Sequence, residues 1–228
     1  MNRIRLEGLY DLTTFQKSQE LGLRDFSFDF RPRSFNFLQL HKFLEMMSTE
    51  FNSLHRYTLH FEREADFVVK NAIKEIDQHL RPQPFYQGFA HHFKLEFSDL
   101  STRETLDQFE APFYWHYYPE ASLKDFLNAQ NLRGIVLNFD FLHQRHKEGT
   151  FGHFFNHFYQ IAPLEMKARG MELILRLDWN SDLFPSLFDF IDFDLISLCI
   201  NPKVETHYRN VDLTKATETI NYYKTYQF

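Results

Sequence analysis

The sequence predicts an α/β protein that forms a single (β/α)8 barrel. Short segments rich in aromatic and aliphatic residues alternate with segments whose apolar residues recur every three or four positions. This is the pattern of buried strands alternating with amphipathic helices. Eight strand candidates begin between positions 3 and 195, a span of 192 residues over seven intervals, or about 27 residues per unit. Such alternation implies parallel strands joined by right-handed crossovers, and eight units are typical of a closed TIM barrel.

An open, doubly wound sheet with fewer strands is the alternative that this pattern leaves. The predicted strands cover residues 3–7, 24–30, 57–61, 93–97, 113–117, 134–139, 171–177 and 195–200. A typical helical segment follows the second strand, where Phe37, Leu40, Phe43, Leu44 and Met47 recur at helical spacing. Residues 81–92 contain two prolines and a glycine and are predicted to be mostly loop. No change in composition marks a boundary, so residues 1–228 are predicted to form one domain.

Composition excludes several classes of function. The 25 Lys and Arg residues are outnumbered by 31 Asp and Glu residues, giving a net charge of -6. The sequence contains no basic stripe, so we do not expect nucleic acid as a partner. No run of about 18 apolar residues predicts a membrane span, and the charged N-terminal strand does not resemble a signal peptide. Cys199 is the only cysteine, which suits a reducing compartment, so a cytoplasmic location is expected.

Polar residues end most of the predicted strands, and in a barrel of this kind the carboxyl ends of the strands form the functional face. They are Glu7, Asp29, His60, Glu62, Glu96, His116, Asn138, Asp140, Arg176 and Asp178. The favoured interpretation is an ion-paired interior, with Arg5 and Arg176 facing Glu7, Glu96 or Asp178, because buried charges need partners. Imidazole and carboxylate groups in this number also permit a metal site. The prediction is nevertheless that the protein uses neither a metal nor another cofactor.

Four collinear stretches resemble the phosphoribosylanthranilate isomerase family, the barrel enzymes of tryptophan synthesis. The opening residues 5–12 are similar to the family's K-I-C-G-I-T-N-L, and residues 28–37 to its F-V-F-Y-P-K-S-P-R-Y. Residues 135–138 with 148–150 and Phe154 resemble its Y-L-L-D and G-G-T-G-K-T-F, and residues 201–205 with 212–215 resemble its S-S-G-V-E and D-x-x-K. The resemblance runs along the whole chain and implies the same barrel.

The resemblance also implies a set of site positions, and this chain departs from the family at each. The family's Amadori rearrangement converts an aminoaldose to an aminoketose with a general base and a general acid. The base would be a Cys where Glu7 stands, the acid an Asp at Asn138, and an anthranilate-binding Arg at Asn36. The phosphate would rest on glycine-rich loops, which here read 178–181 and 201–203 without glycine, and Pro202 has no N–H to donate.

These coordinated changes favour a divergent barrel that has lost the isomerase reaction and binds a small molecule, possibly a sugar phosphate, or another partner. A working isomerase is the first alternative. It would use Glu7 as a base whose pKa is raised in an apolar mouth, and Asn138 or Asp140 at the acid position, if the strand continues far enough to place both on one side. Its substrate-binding residues would be Arg5, Arg33, Asn36, Asn180, Ser181 and Lys203. A metal-dependent hydrolase barrel is the second alternative. A monomer or a homodimer is expected.

Overall fold

A closed barrel of eight parallel strands forms the centre of the protein. The computed structural model describes residues 3–99, 103–179, 181, 183 and 186–225. Within these ranges each strand pairs with the next in the chain, and β1 also pairs with β8 to close the barrel. The strands are β1 (Arg3–Glu7), β2 (Asp25–Asp29), β3 (Arg56–Phe61), β4 (Phe93–Phe97), β5 (Phe113–His116), β6 (Leu132–Asn138), β7 (Glu172–Leu177) and β8 (Leu195–Cys199). The predicted fold class and all eight strands are confirmed.

Helices occupy the connections between the strands. They are α1 (Leu12–Glu20), α2 (Leu40–Glu50), α3 (Asp66–Leu80), α4 (Phe89–His92), α5 (Arg103–Asp107), α6 (Leu123–Leu127), α7 (Phe139–Lys147), α8 (Phe151–Ile161), α9 (Pro163–Ala168), α10 (Ser186–Phe190) and α11 (Leu213–Thr225). The hairpin of β9 (Glu205–His207) and β10 (Asn210–Val211) lies between β8 and α11. None of the helices described combines the length and the apolar character that a membrane span requires.

The main hydrophobic core lies between the barrel and its surrounding helices. On β2, Phe26 and Phe28 are fully buried and pack edge-on against Phe15 of α1 at ring-centroid distances of 4.9 and 5.6 Å. Phe28 also packs against Phe43 of α2 at 4.9 Å. Since successive side chains of a strand point to opposite faces, Ser27 must point into the barrel. Because of this alternation, the polar residues of the strands point into the barrel.

The barrel interior is therefore unusually polar for this fold. A small separate apolar cluster is formed by Tyr114, Val136, Ile174 and Leu195. Charged and polar side chains lie on both sides of it along the barrel axis. Near the amino ends of the strands, Arg3 pairs with Asp25 and with Glu172, and Lys94 pairs with Glu172 at 3.3 Å. The groups near the carboxyl ends form the candidate site.

Candidate functional site

Arg5 is the central charge of the barrel interior. Its side chain is 1% exposed, and its Nη1 and Nη2 donate to the two carboxylate oxygens of Glu96 at 2.5 and 3.2 Å. Its Nε donates to Ser197 Oγ at 2.9 Å. Strand β1 thus reaches strand β4 through one bidentate ion pair, the arrangement that lets two charges share a dry interior. The predicted interior pairing is confirmed for Arg5 and Glu96, and Arg5 has little surface left for a substrate.

Glu7, the predicted base, is held as an ion-paired carboxylate. Arg176 Nε on β7 donates to both of its oxygens at 2.9 and 3.0 Å, and Ser197 Oγ donates to one of them at 2.9 Å. Arg5 Nη2 lies 3.7 Å away. Burial by itself raises the pKa of Glu7, but the charges of Arg176 and Arg5 outweigh it and lower the pKa to about 2. The expected raised pKa is wrong, because the mouth is lined with cations.

Asn138 and Asp140 do not share one side of a strand. Strand β6 ends at Asn138, and Phe139 begins α7, so Asp140 lies in the first turn of that helix and is exposed. Two residues along a helix turn a side chain by about 200°, whereas in a strand the same step returns it to the same face. The prediction that Asp140 could replace the acid at Asn138 depended on a longer strand and is wrong. Asn138 remains at the mouth, where its Oδ1 is buried without a hydrogen-bond partner among the residues described.

Asn36 serves as a brace between two loops. It is 3% exposed, and its Nδ2 donates to the backbone oxygen of Ile200, just after β8, at 2.6 Å. Gly8 lies directly beneath it with a φ of +79°, and a Cβ at Gly8 would lie 2.3 Å from Asn36 Nδ2. The loop after β1 therefore needs glycine both for its backbone conformation and for this close contact. Arg33, in the same loop as Asn36, is exposed.

The loops after β7 and β8 are tied together by Asp178. Its carboxylate receives the Lys203 ammonium and, at 2.7 Å, the Asn201 side-chain amide. Ser181 Oγ donates to the Asp178 backbone oxygen at 2.9 Å, so the hydroxyl caps its own loop. Asn180 lies outside the described residues. Lys203, the cation expected to bind a phosphate, is thus already paired with a carboxylate. Among the described residues, Asp178 pairs with Lys203 and not with Arg5 or Arg176, which was the predicted alternative.

A second group of polar residues comes together from β3, β4 and β5. His60 is paired in register with Glu96, and His116 Nε2 lies 2.7 Å from Glu96 Oε1. The imidazole rings of His60 and His116 are stacked, with centroids 5.1 Å apart. The sequence marked all three as residues at strand ends, but it did not select them as a site. The signal was their shared inward position on consecutive strands, which becomes visible only with the register.

Solved structures of phosphoribosylanthranilate isomerases superimpose on the barrel over nearly its full length. Monomers generated from the dimeric enzyme of Thermotoga maritima give a TM-score of 0.66 at 14% sequence identity, covering 99% of this chain and 100% of that chain. TrpF from Jonesia denitrificans gives 0.65 at 11% identity, covering 96% and 95%. This chain has the fold of the phosphoribosylanthranilate isomerases. The sequence resemblance is thereby confirmed at the level of the fold.

That likeness shows the fold and not the reaction. An HpcH/HpaI aldolase from Desulfitobacterium hafniense also matches, with a TM-score of 0.60 at 7% identity, covering 99% of this chain and 94% of that one. Identities this low, shared between an isomerase and an aldolase, establish the fold alone. No protein-family model matches the sequence, and no curated protein matches it. The function of the barrel therefore depends on its own side chains.

Proposed function

We propose that this barrel has lost the Amadori rearrangement of the phosphoribosylanthranilate isomerases and binds a small polar molecule in its mouth. The observation that carries the proposal is the pairing of Glu7 with Arg176. A general base must accept a proton near the operating pH, and efficiency falls as its pKa departs from that pH. A carboxylate with a pKa of about 2 stays ionised at neutral pH and is a poor acceptor.

The other positions implied by the resemblance support the same proposal. The amide of Asn138 has no acidic proton to give to a ring oxygen. Asn36 uses its amide to brace the loop after β2 against Ile200. At the expected phosphate position the loops present Asp178, whose negative charge opposes a phosphate, and Asp178 already engages Lys203. Restoring the family's chemistry would require changes at all of these positions.

The mouth still offers groups that suit a polar ligand. Asn138 Oδ1 is buried without a partner among the described residues, and an unpaired buried acceptor costs about 1–3 kcal/mol. The side chain of Arg176 remains 28% exposed beside it, since Asn138 and Arg176 are register partners on β6 and β7. A ligand with hydroxyl or amine donors and a partial or full negative charge fits these two groups. Sugars and sugar phosphates belong to this class.

An activity assay with N-(5'-phosphoribosyl)anthranilate tests the proposal. The purified chain is expected to give no turnover above a buffer blank, while the Thermotoga maritima isomerase, assayed in parallel, consumes the substrate. Turnover that Glu7→Ala abolishes, and that the control Glu20→Ala at an exposed carboxylate preserves, would overturn the proposal. Ligand binding is followed separately by thermal shift with panels of sugars and sugar phosphates, where a rise in Tm that Asn138→Ala removes supports the mouth as the site.

A metal-dependent hydrolase is the second candidate function, and one observation favours it. His60, Glu96 and His116 place three metal-ligating atoms within 4.8 Å of one another. A hydrolase of this kind needs a bound ion to activate water. Metal binding by these residues is therefore the first requirement of this candidate, and hydrolysis of ester or phosphoester test substrates by the metal-loaded protein is the second.

We also propose a cytoplasmic location and a monomeric or homodimeric state. Cys199 is a free thiol, and burial, reinforced by the charge of Glu7, raises its pKa to about 12, so the thiol stays protonated at neutral pH. Such a thiol is compatible with a reducing compartment and is not an activated nucleophile. Analytical ultracentrifugation of the purified chain distinguishes one copy from two, and fractionation of expressing cells tests the location.

A further inference from the structure

Three buried donor side chains meet inside the barrel from consecutive strands. His60 on β3, Glu96 on β4 and His116 on β5 are each 2% exposed or less. His116 Nε2 lies 2.7 Å from Glu96 Oε1, His60 Nδ1 lies 3.9 Å from the same oxygen, and one donor atom from each residue falls within 4.8 Å of the others. We propose that these residues bind one first-row divalent metal ion of the Zn²⁺ class. The site is independent of the loss of isomerase activity.

His60 is the residue that points to a ligand. Both of its ring nitrogens are buried, and neither has a hydrogen-bond partner among the described residues. Leaving a buried polar atom unpaired costs about 1–3 kcal/mol, so an imidazole with two such atoms is a strong indication that something else satisfies it. An imidazole nitrogen without a hydrogen-bond partner has a lone pair that it can give to a metal.

The donor distances require side-chain adjustments of up to about 1.4 Å. Tetrahedral zinc binds nitrogen and oxygen at about 2.0–2.2 Å, so two donors on one ion lie about 3.4 Å apart. The pair at 2.7 Å must open by about 0.7 Å, the pair at 3.9 Å must close by about 0.5 Å, and the third pair, which lies within 4.8 Å, must close by at most about 1.4 Å. The stacked rings of His60 and His116 must also tilt toward each other. His60 can make this movement without breaking any hydrogen bond among the described residues.

Glu96 is oriented for the role by Arg5. The shorter Arg5 bond engages Oε2 at 2.5 Å and the longer one Oε1 at 3.2 Å, and Oε1 is the oxygen that faces both histidines. In metal sites, hydrogen bonds from neighbouring residues usually hold a ligating carboxylate in place in this way. Binding would replace the direct contact between His116 and Glu96 with bonds to the shared ion. Two imidazoles and one carboxylate suit Zn²⁺, Co²⁺ or Fe²⁺ better than Ca²⁺ or Mg²⁺, which prefer oxygen donors.

The surrounding charge indicates what completes the coordination. Three cations surround the donors, and each is paired with a carboxylate. The pairs are Arg5 with Glu96, Arg31 with Asp29, and Arg176 with Glu7. A divalent ion would make this balanced region positive. Three protein donors leave at least one coordination position open. An anionic ligand or hydroxide at that position would offset part of the added charge, so we expect metal binding to increase the affinity of the mouth for small anions.

Titration of the chelator-stripped protein with Co²⁺ and Zn²⁺ tests the site. The expected result is one ion per chain, with visible Co²⁺ absorption bands that Zn²⁺ displaces. His60→Gln is expected to weaken binding by about 100-fold or more, since even the loss of an outer-shell partner costs 10–100-fold. The matched control His157→Ala removes an exposed histidine of α8 and should leave binding unchanged.

Two results would overturn the metal site. One is a wild-type protein that binds less than one ion per chain at millimolar Co²⁺ and Zn²⁺. The other is a His60→Gln variant, shown to be folded by circular dichroism, that binds as tightly as His157→Ala. If His60→Gln does not fold, His116→Gln is measured in its place against the same criterion. Neither result depends on the isomerase assay, so failure of the metal site and failure of the proposed function are distinguishable.

Discussion

At the scale of single residues, partners decide what a side chain can do. Glu7 occupies a position that the sequence identifies correctly as the carboxyl end of β1 at the barrel mouth. Its chemistry depends on Arg176, 169 positions away in the chain, whose Nε lies 2.9 Å from it. The working-isomerase alternative assumed an apolar mouth, which would raise the pKa of this carboxylate. The fold instead places Arg176 and Arg5 beside it, the two cations that the ion-paired interpretation named, and their charges lower the pKa.

Gly8→Ala is expected to destabilise the protein more than Gly22→Ala. Both glycines have φ near +79°, so each substitution incurs about 1–2 kcal/mol of backbone strain. Only at Gly8 would the new Cβ also strike Asn36, and relieving that clash breaks the Asn36 bond to Ile200 for about 1–3 kcal/mol more. Urea unfolding of the two variants measures the difference. Equal losses of stability would contradict the role given to Asn36 as a brace.

At the scale of elements, strand positions follow from the sequence, but the points where strands end do not. The eight predicted strands overlap the observed ones because buried parallel strands leave compact apolar runs between polar segments. The Asp140 prediction failed because β6 ends at Asn138 and a helix begins at once. Residues 81–92 are mostly loop as predicted, with one short helix, α4, at their end. His60, Glu96 and His116 were recognised singly, since their grouping depends on the register of three strands.

Gly134→Ala tests the close packing of β6 against β7. A Cβ at Gly134 would lie 2.4 Å from the backbone oxygen of Glu172, and a backbone atom cannot move aside without disturbing the ladder. We expect a loss of about 1–3 kcal/mol, the usual cost of overpacking, in the free energy of unfolding. Gly152→Ala is the control, since no atom of the described residues lies within 4 Å of a Cβ built there in helix α8, and it should be neutral or stabilising by up to about 1 kcal/mol. Equal behaviour of the two variants would contradict this packing.

At the scale of the whole molecule, the barrel is filled largely by ion pairs. The apolar cluster inside it is small, and charged networks lie on both sides. Glu7, Glu96 and Glu172 all have pKa values lowered by neighbouring cations, against the effect of burial. The sequence indicated this pairing from the number of charged strand residues. It named Arg5 and Arg176 as partners of Glu7, Glu96 or Asp178, but it did not assign each cation to its carboxylate, because Arg5–Glu96 and Arg176–Glu7 join strands that are distant in the chain.

Acid is therefore expected to destabilise the fold steeply. A carboxyl group whose pKa is about 2 when folded and near 4.5 when unfolded adds stability above pH 4.5, and that stability is lost as the pH falls toward 2. For Glu7 the shift corresponds to about 3 kcal/mol. Urea unfolding between pH 6 and pH 3 should show the loss, and Glu7→Gln should show a smaller loss over the same range. A Glu7→Gln variant with the same pH dependence as the wild type would contradict the assignment.

The ionisation of Glu7 is the central claim about this barrel, and it can be measured directly. Carbon-13 NMR of glutamate side chains, with Glu7→Gln used to assign the resonance, follows the carboxyl carbon of Glu7 as the pH is lowered. We expect the Glu7 carboxylate to remain ionised down to about pH 3 for as long as the protein stays folded, because Arg176 and Arg5 hold its pKa near 2. A titration midpoint between pH 6 and pH 7 would contradict the account and make Glu7 a competent general base.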